Sequence, residues 1–369
     1  MHTPELAKFL DEKAYPSSDV IIYHNHKEIF RYFRGSKDAA GTMPIDGSEI
    51  YFLYSATKPI TCTAAMQLIE RGIIGIDDPV SKYIPEYAHL TYKDGDEVKE
   101  CKEVMTVRHL FAMRAGFNYG NPVAWQLKNT MPEADTIEAV KALITHPLDF
   151  EPGTDFRYSF CHDVLAAIVE IASGMKFSEC LKMNVFEPLG MNNTGFHVTE
   201  DMLPRFAEQY NFVDGEIKPI SKSCRFKLTD NYESGGAGLY SCIDDYIKFA
   251  DALANHGTAF NGYQLLKPET VELMRANQNF HPDLPVRAGY GYAFGVRTML
   301  DPIAAGSDAP TAFEFGWDGA AGAYVAIDPY HKLTCVYLHH VMNHGKVYEE
   351  THPVIRDTMY YIAGICNEK

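Results

Sequence analysis

The ~18 consecutive apolar residues that a bilayer-spanning helix needs occur nowhere in this 369-residue sequence. Its opening stretch, MHTPELAKFLDEKAYP, lacks both the basic leader and the apolar core of a secretory signal. Eight cysteines (62, 101, 161, 180, 224, 242, 335 and 366) are scattered without a CxxC pair. Reduced thiols in a cytoplasmic protein are therefore expected, not a disulfide framework. Basic residues are also short: 33 Lys and Arg face 49 Asp and Glu, a net charge of -16, with no local basic cluster to offset it. Neither nucleic acid nor membrane is expected as a partner. Fifteen histidines include the run HHVMNH (339–344), yet no H-E-x-x-H and no Cys/His group at metal-ligand spacing occurs. Those histidines are expected to solvate a strand end, and no metal or other cofactor is expected. GYGYAFG (289–295) misses G-x-G-x-x-G by one residue and reads as strand, which removes a nucleotide fingerprint. The absence of G-x-S-x-G removes the sharp strand-to-helix serine turn that many hydrolases use.

What is present is the composition of an ordinary soluble chain, 46% hydrophobic and 22% charged, with material for a large core. Residues 4–13 place Leu6, Phe9 and Leu10 on one helix face. DVIIYHNHKEIFRYFRG reads as a hairpin turning at Asn25-His26, and IYFLY (50–54) as a third short strand. From there to Gly72 the chain is apolar on all sides, through Ile60, Cys62, Ala64, Ala65, Met66, Leu68 and Ile69, which predicts a buried helix. Between 74 and 288 the signals are mainly helical. TVRHLFAMRAG has a Thr cap and a stop near Gly116, CHDVLAAIVEIASG ends at Gly174, and SCIDDYIKFADALANHG has Ser241 as cap and Gly257 as stop. Strand signals return in YGYAFGVRT, AYVAID and LTCVYLHHV, before a last helix with Ile355, Met359, Ile362 and Cys366 on one side. Strands at both ends with helices between predict one α/β domain, residues 1–73 plus 289–369, holding an inserted helical domain at 74–288.

The stretch YSATKPI (54–60) carries chemistry. Proline is accommodated in a helix only in the first turn, so Pro59 sets a helix start close to Ser55. Positions three apart share a face, which stands Lys58 one turn from the Ser55 hydroxyl. The helix N-terminus adds partial positive charge and free N–H groups there. A serine must lose its proton before it attacks, and a lysine buried among apolar neighbours has a lowered pKa that suits it to help. The plain alternative is an N-capping serine, because S-x-x-K arises by chance about once in a chain of this length. SGMK, Ser173 to Lys176, is such a case. There Gly174 ends one helix and Ser178 begins another, so no helix follows that serine directly. Cys161 and His162, adjacent on a helix, point apart and make no thiol pair.

Three stretches then fall in a telling order: YSATK after a strand, RYSFCHDVLAAIVE about a hundred residues later, and GWDGAAGAYVAIDP near the end. They resemble the serine β-lactamase-like hydrolases: class C β-lactamases, D-alanyl-D-alanine peptidases and the family VIII carboxylesterases. MTVRHLFAMRAGF, PLGMNNTGF and ESGGAGLYSCIDDYIKF extend the resemblance over nearly the whole chain. It implies an α/β fold of the β-lactamase/transpeptidase type, an antiparallel sheet flanked by helices with an inserted all-α domain, and the active site between the two. It also implies Ser55 as nucleophile, Lys58 as its partner and Tyr158 as general base, with the amides of Ser55 and Ala320 as oxyanion hole. Lys58 and the helix terminus are expected to favour a Tyr158 phenolate. Trp317, Asp318 and Gly319 stand where relatives carry Lys-Thr-Gly, His-x-Gly or Trp-Gly-Gly, as a strand edge beside the serine. Small residues at 319–322 allow close approach of a substrate.

The departures from the family pattern bear on substrate. β-Lactamases hold a carboxylate with a cationic or hydrogen-bonding residue where this chain has Trp317. They carry Asn two residues after the tyrosine, where this chain has Phe160. Both changes predict a pocket for an apolar acyl or alcohol group, and Trp-x-Gly resembles the esterase branch. Asp318, usually glycine in that branch, is expected to be open to a cationic or hydroxylated substrate, and Asp163 to brace the helix after Tyr158. The resulting expectation is a serine hydrolase cleaving small or medium carboxylic esters through a covalent acyl-enzyme. A β-lactamase, a D-amino-acid peptidase or amidase, and an acyltransferase are the enzymatic alternatives. A binding protein on a retired hydrolase fold is the alternative outside that class, and the intact Ser55, Lys58 and Tyr158 speak against it. A small-molecule ester or amide is the expected partner, and the sequence does not set the oligomeric state.

Overall fold

Asn25 and His26 both take left-handed φ, +49° and +64°, as a two-residue type I′ hairpin turn requires. They join β1 (Ser17–His24) to β2 (Lys27–Gly35), just after α1 (Thr3–Lys13). The computed structural model describes residues 3–279 and 287–366. The further strands are β3 (Tyr51–Phe52), β4 (Thr91–Asp94), β5 (Glu97–Glu100), β6 (Gln209–Val213), β7 (Glu216–Ile220), β8 (Tyr240–Ser241), β9 (Tyr290–Tyr292), β10 (Arg297–Met299), β11 (Phe315–Asp318), β12 (Tyr324–Asp328), β13 (Leu333–Leu338) and β14 (Val341–Met342). A seven-stranded sheet runs β2-β1-β13-β12-β11-β10-β9, antiparallel at every pairing. The N-terminal hairpin is thus zipped onto the C-terminal strands, from Asp19 opposite Leu338 to His24 opposite Leu333.

β12 and β13 are buried at every position, so this sheet is covered on both faces, which removes the usual polar alternation. Successive side chains still point to opposite faces. Val20, Ile22, Tyr324, Ala326, Cys335 and Tyr337 pack with Leu6 and Leu10 of α1 and with Ile355 and Met359 of a last helix. Ile21, Val325, Ile327, Val336 and Leu338 belong to the large core on the other side.

The helices after α1 are α2 (Lys58–Glu70), α3 (Val107–Phe111), α4 (Pro122–Thr130), α5 (Thr136–Leu143), α6 (Cys161–Ser173), α7 (Phe177–Leu181), α8 (Glu187–Leu189), α9 (Ile243–Ala254), α10 (Pro268–Arg275) and α11 (His352–Ile362). α2 is buried from Lys58 to Leu68, as its all-round apolar sequence predicts. α6 is buried from Cys161 to Val169 and stops at Gly174, whose φ of +70° is the left-handed cap. No helix among the described residues is long and apolar enough to cross a membrane.

Several boundaries differ from the sequence-based expectation. IYFLY yields only the two residues of β3, which pair with β8 in a separate two-stranded sheet. Ser241 is consequently a strand residue, and Cys242 occupies the N-cap of α9. α3 ends at Phe111 because Met113, at φ +57°, turns the chain well before Gly116. α9 ends at Ala254, ahead of the left-handed His256 (φ +55°) and Gly257. GYGYAFG holds β9 and the turn into β10, not one strand. Cys366 lies beyond α11. The 74–288 stretch adds two hairpins, β4–β5 and β6–β7, to its helices. The histidines of HHVMNH do not solvate a strand end: His339 and His340 are 1% exposed and His344 7%. Burial drives His339 down to about 3 and His340 to about 4, so both are neutral rings bound to the carbonyls of Ser17 and Ala207.

Candidate active site

Tyr54 takes a left-handed φ of +49° and is buried. For a bulky side chain that conformation costs roughly 1–2 kcal/mol and persists only where its surroundings enforce it. Here the phenol donates to Gln209 Oε1 at 2.5 Å and the ring sits among Phe52 and Phe226. The kink turns the chain from β3 into a tight helical turn, Tyr54–Thr57, which runs on into α2 with Pro59 in its first turn. Neighbouring hydrogen bonds fix the turn: Leu53 N–H to the Leu239 carbonyl (2.9 Å), Leu239 N–H to Thr57 Oγ1 (3.1 Å), and the Tyr246 hydroxyl to the Ala56 carbonyl (2.7 Å). Ser55 is left half-buried between the buried Tyr54 and Ala56.

Lys58 is entirely out of water. Its Nζ lies 2.6 Å from the Gly236 carbonyl, 3.2 Å from the Tyr119 hydroxyl and 3.4 Å from Ser55 Oγ, and 4.4 Å from the centre of the Tyr158 ring. Burial lowers its pKa to about 7, against the opposing charge of Asp163. The loop that presents the Gly236 carbonyl is itself tied to Asp163. The Oδ1 of that buried carboxylate accepts from Tyr232 (2.6 Å), Ser234 (2.6 Å) and the Gly236 N–H (3.3 Å). Asp163 thus does more than brace α6: it shapes the loop that anchors the lysine.

Tyr158 shares a hydrogen bond with Ser55 and receives one from Trp317 Nε1 at 2.8 Å. Its pKa is raised, chiefly by burial, which outweighs those two hydrogen bonds. The expected phenolate is therefore corrected: Tyr158 is a neutral phenol, and Lys58 is the group poised to lose its proton. Trp317 stands on the Tyr158 side of β11, its ring 5.4 Å from Tyr158 and 5.1 Å from Tyr292. Gly319 follows, and a Cβ there would lie 2.3 Å from the Leu53 carbonyl. Only glycine lets the 319–322 turn press against the chain two residues before Ser55. Ala320 is the next residue in that turn.

Two expected substrate contacts are corrected. Asp318 is committed to Arg297 (2.8 Å) and Arg287 (3.1 Å), and Arg297, 2% exposed, also bonds Glu314 and the Val325 carbonyl. Against the upward push of burial, Arg297 first, then the His352 ring and Arg287, hold the Asp318 carboxyl below the usual range, so it offers no open carboxylate to a ligand. Phe160 is 1% exposed at the start of α6. It packs behind Tyr119 (4.7 Å) and Trp125 (6.2 Å) instead of facing a substrate. What the sequence did not single out is Tyr119. It reaches Lys58 through its hydroxyl and packs on Phe226 at 5.3 Å, which in turn meets Trp125 at 5.7 Å. A lone Tyr in FNYGNP carries no spacing that marks it, and the Gly236 carbonyl is invisible to side-chain reading. Ser173 bonds the Glu170 carbonyl, Cys161 meets Ser159 and His162 meets the Phe111 carbonyl, so none of these joins the Ser55 cluster. Among the described residues no group of three or more His, Cys, Asp or Glu is placed to hold a metal.

A serine hydrolase is the class that this fold and site define. The chain belongs to the Beta-lactamase family, whose model matches residues 5–360. Esterase EstB of Burkholderia gladioli is 29% identical over 339 residues, 82% of this chain and 80% of the esterase. Monacolin J acid methylbutanoyltransferase of Aspergillus terreus is 27% identical over 264 residues, 65% of this chain and 62% of the transferase. The solved structure of EstCE1, a hydrolase with promiscuous acyltransferase activity, matches with a TM-score of 0.82 at 25% identity over 97% of each chain. Esterases and acyltransferases are thus both among its relatives, and the antiparallel sheet with flanking helices is theirs as well.

Proposed function

We propose that this protein hydrolyses small or medium carboxylic esters with an apolar acyl or alcohol part, through a covalent acyl-enzyme on Ser55. The observation that carries the reading is the buried Lys58 Nζ, 3.4 Å from Ser55 Oγ and bonded on its other sides to Gly236 and Tyr119. A neutral amine has two N–H groups and one lone pair. With the N–H groups spent on the Gly236 carbonyl and the Tyr119 oxygen, the lone pair faces the serine. The Ser55 proton passes to Lys58 as Oγ bonds to the ester carbon, and the carbonyl oxygen takes the charge beside the amides of Ser55 and Ala320. Collapse breaks the bond to the alcohol oxygen, which takes a proton from the neutral Tyr158, and the Lys58 ammonium makes good that loss. Water then attacks the acyl carbon along the same proton path in reverse and frees the acid and Ser55.

The aromatic surround of Trp317, Tyr119, Phe226 and Trp125 supports an apolar substrate held by burial, at about 25 cal/mol per Å². Both arginines near β11 are taken by Asp318, which leaves a β-lactam carboxylate without a cation there. The test is a panel of p-nitrophenyl esters against nitrocefin and D-alanyl peptides. Esters should lead by at least about a hundredfold in kcat/KM, ~2.7 kcal/mol of transition-state preference. Ser55→Ala should lose roughly four to six decades and the acyl adduct seen by mass spectrometry. Nitrocefin turned over as fast as the best ester would replace this reading with the β-lactamase one. Acyl transfer to an alcohol in place of water is the second reading, favoured by the methylbutanoyltransferase relative. It is tested by adding acceptor alcohols to the same assays.

A further inference from the structure

We propose that Tyr348 is a positioning residue for the oxyanion hole, acting through the Gly319–Ala320 peptide; this rests on the hydrolase reading of Ser55 and Ala320. The Tyr348 hydroxyl donates to the Gly319 carbonyl at 2.8 Å. That carbonyl and the Ala320 N–H belong to one peptide unit, so a donor on its oxygen side fixes the plane in which the N–H points. It also draws electron density toward the oxygen and makes the N–H a stronger donor, as linked hydrogen bonds do. Substrate reaches the front of this peptide, and Tyr348 holds the back.

The rest of the turn is gripped in the same manner. The Gly319 carbonyl also accepts the Gly322 N–H at 2.9 Å, and the Ala321 carbonyl accepts the Val341 N–H at 3.0 Å. His352 Nε2 lies 3.1 Å from the Gly322 carbonyl and must carry a proton there. Gly322 has φ +95°, and a Cβ on it would meet the His339 ring at 2.5 Å. Tyr348 sits in a widened helical turn, Val347–Thr351, that leads into α11. Such π-type turns insert a residue and re-aim side chains, frequently at functional sites. The phenol ring is steadied edge-on by His352 at 5.1 Å. Three side-chain and backbone donors from the C-terminal segment thus meet the carbonyls of the turn that presents Ala320.

The test is Tyr348→Phe, which keeps the ring and removes the hydroxyl. Loss of a direct oxyanion donor costs about a hundredfold or more. A donor one peptide removed should cost about tenfold in kcat on a p-nitrophenyl ester, with KM changed less than about twofold. Affinity for an alkylboronic acid, whose Ser55 adduct puts an oxygen in the hole, should fall by the same factor. A second variant, 3-fluorotyrosine at 348, is a stronger donor with the same fold and should hold kcat at or above the natural level. Unchanged kcat and boronate affinity in Tyr348→Phe would overturn the inference, as would a fluorotyrosine enzyme as slow as the Phe one, or a loss that merely follows the fraction unfolded. If fluorophosphonate leaves Ser55 of the natural enzyme unlabelled, the hydrolase reading falls and this inference with it. A labelled, active enzyme with an unimpaired Tyr348→Phe sinks this inference alone.

Discussion

Lys58 has its whole side chain out of water and its amine shared among a carbonyl, a phenol and the Ser55 hydroxyl. Its pKa, lowered to about 7 by burial, has a direct kinetic consequence. Below that pH the amine is an ammonium and cannot accept the serine proton; as pH rises through it, the neutral form takes over. kcat/KM for an uncharged ester should therefore climb with pH and level off above a midpoint near 7, while Tyr158, with its pKa raised, stays protonated throughout. Lys58→Arg should abolish most of kcat, because a guanidinium keeps its proton across this range. A profile flat from about pH 5 to about pH 9 would show that no such group titrates. At this scale spacing named Ser55 and Lys58 and the family resemblance added Tyr158 and Trp317; the structure brings these four side chains together. The sequence was illegible where a partner elsewhere in the chain claimed the side chain. Nothing next to Asp318 in sequence announces Arg287 or Arg297, and nothing distinguishes Tyr119 among 23 tyrosines.

Among elements, the link that matters runs from α6 through the 232–238 loop to α2. Asp163, in the first turn of α6, gathers Tyr232, Ser234 and the Gly236 N–H, and the Gly236 carbonyl takes the Lys58 amine. The Asp163 charge opposes the burial effect on Lys58. Asp163→Asn should thus lower the lysine pKa further and move the acid limb of the pH–rate profile to lower pH. It should also cost about tenfold in kcat, because an amide holds the three donors less well than a carboxylate. A limb that does not move would mean that Asp163 carries no charge at this site. The long elements were readable for simple physical reasons. α6 has a continuous apolar run and a glycine cap, and the first hairpin has its Asn25-His26 turn between β-rich runs. β4 and β5 escaped notice because TYKD and EVKE offer no apolar alternation, β5 being exposed at all four positions. The shortness of β3 and the capping of α9 by Cys242 both follow from the pairing of Tyr51 with Ser241, a contact between distant segments that no local pattern records.

At the scale of the molecule, one buried cluster draws on both stretches that the order of strand and helix signals marks out, residues 1–73 plus 289–369 and residues 74–288. Ile21, Val325 and Val336 from the sheet and Leu110, Phe111, Leu127 and Leu165 from the 74–288 stretch belong to one cluster of buried side chains. Hydrogen bonds cross the line between the two stretches, from Trp317 to Tyr158, from Lys58 to Gly236 and from Gly295 to Phe111. We therefore propose that residues 1–73 plus 289–369 and residues 74–288 unfold together, although chains of this size frequently unfold in steps. The two tryptophans stand on opposite sides of that line, Trp125 in α4 and Trp317 in β11. Trp317→Phe and Trp125→Phe each leave one of them as a reporter. Urea unfolding followed by fluorescence should give the same midpoint for both reporters after correction for the substitutions themselves. Leu127→Ala, at a fully buried position of α4, should cost about 2–5 kcal/mol through lost burial and the cavity left behind. If the core is shared, it moves both midpoints by equal amounts, including that of Trp317 in the sheet. If Trp125 loses its signal first, and Leu127→Ala shifts that transition alone, the helical stretch is a separate folding unit. The site would then lose its lysine anchor and Tyr158 while the sheet stood intact, and activity would disappear before the Trp317 signal changed.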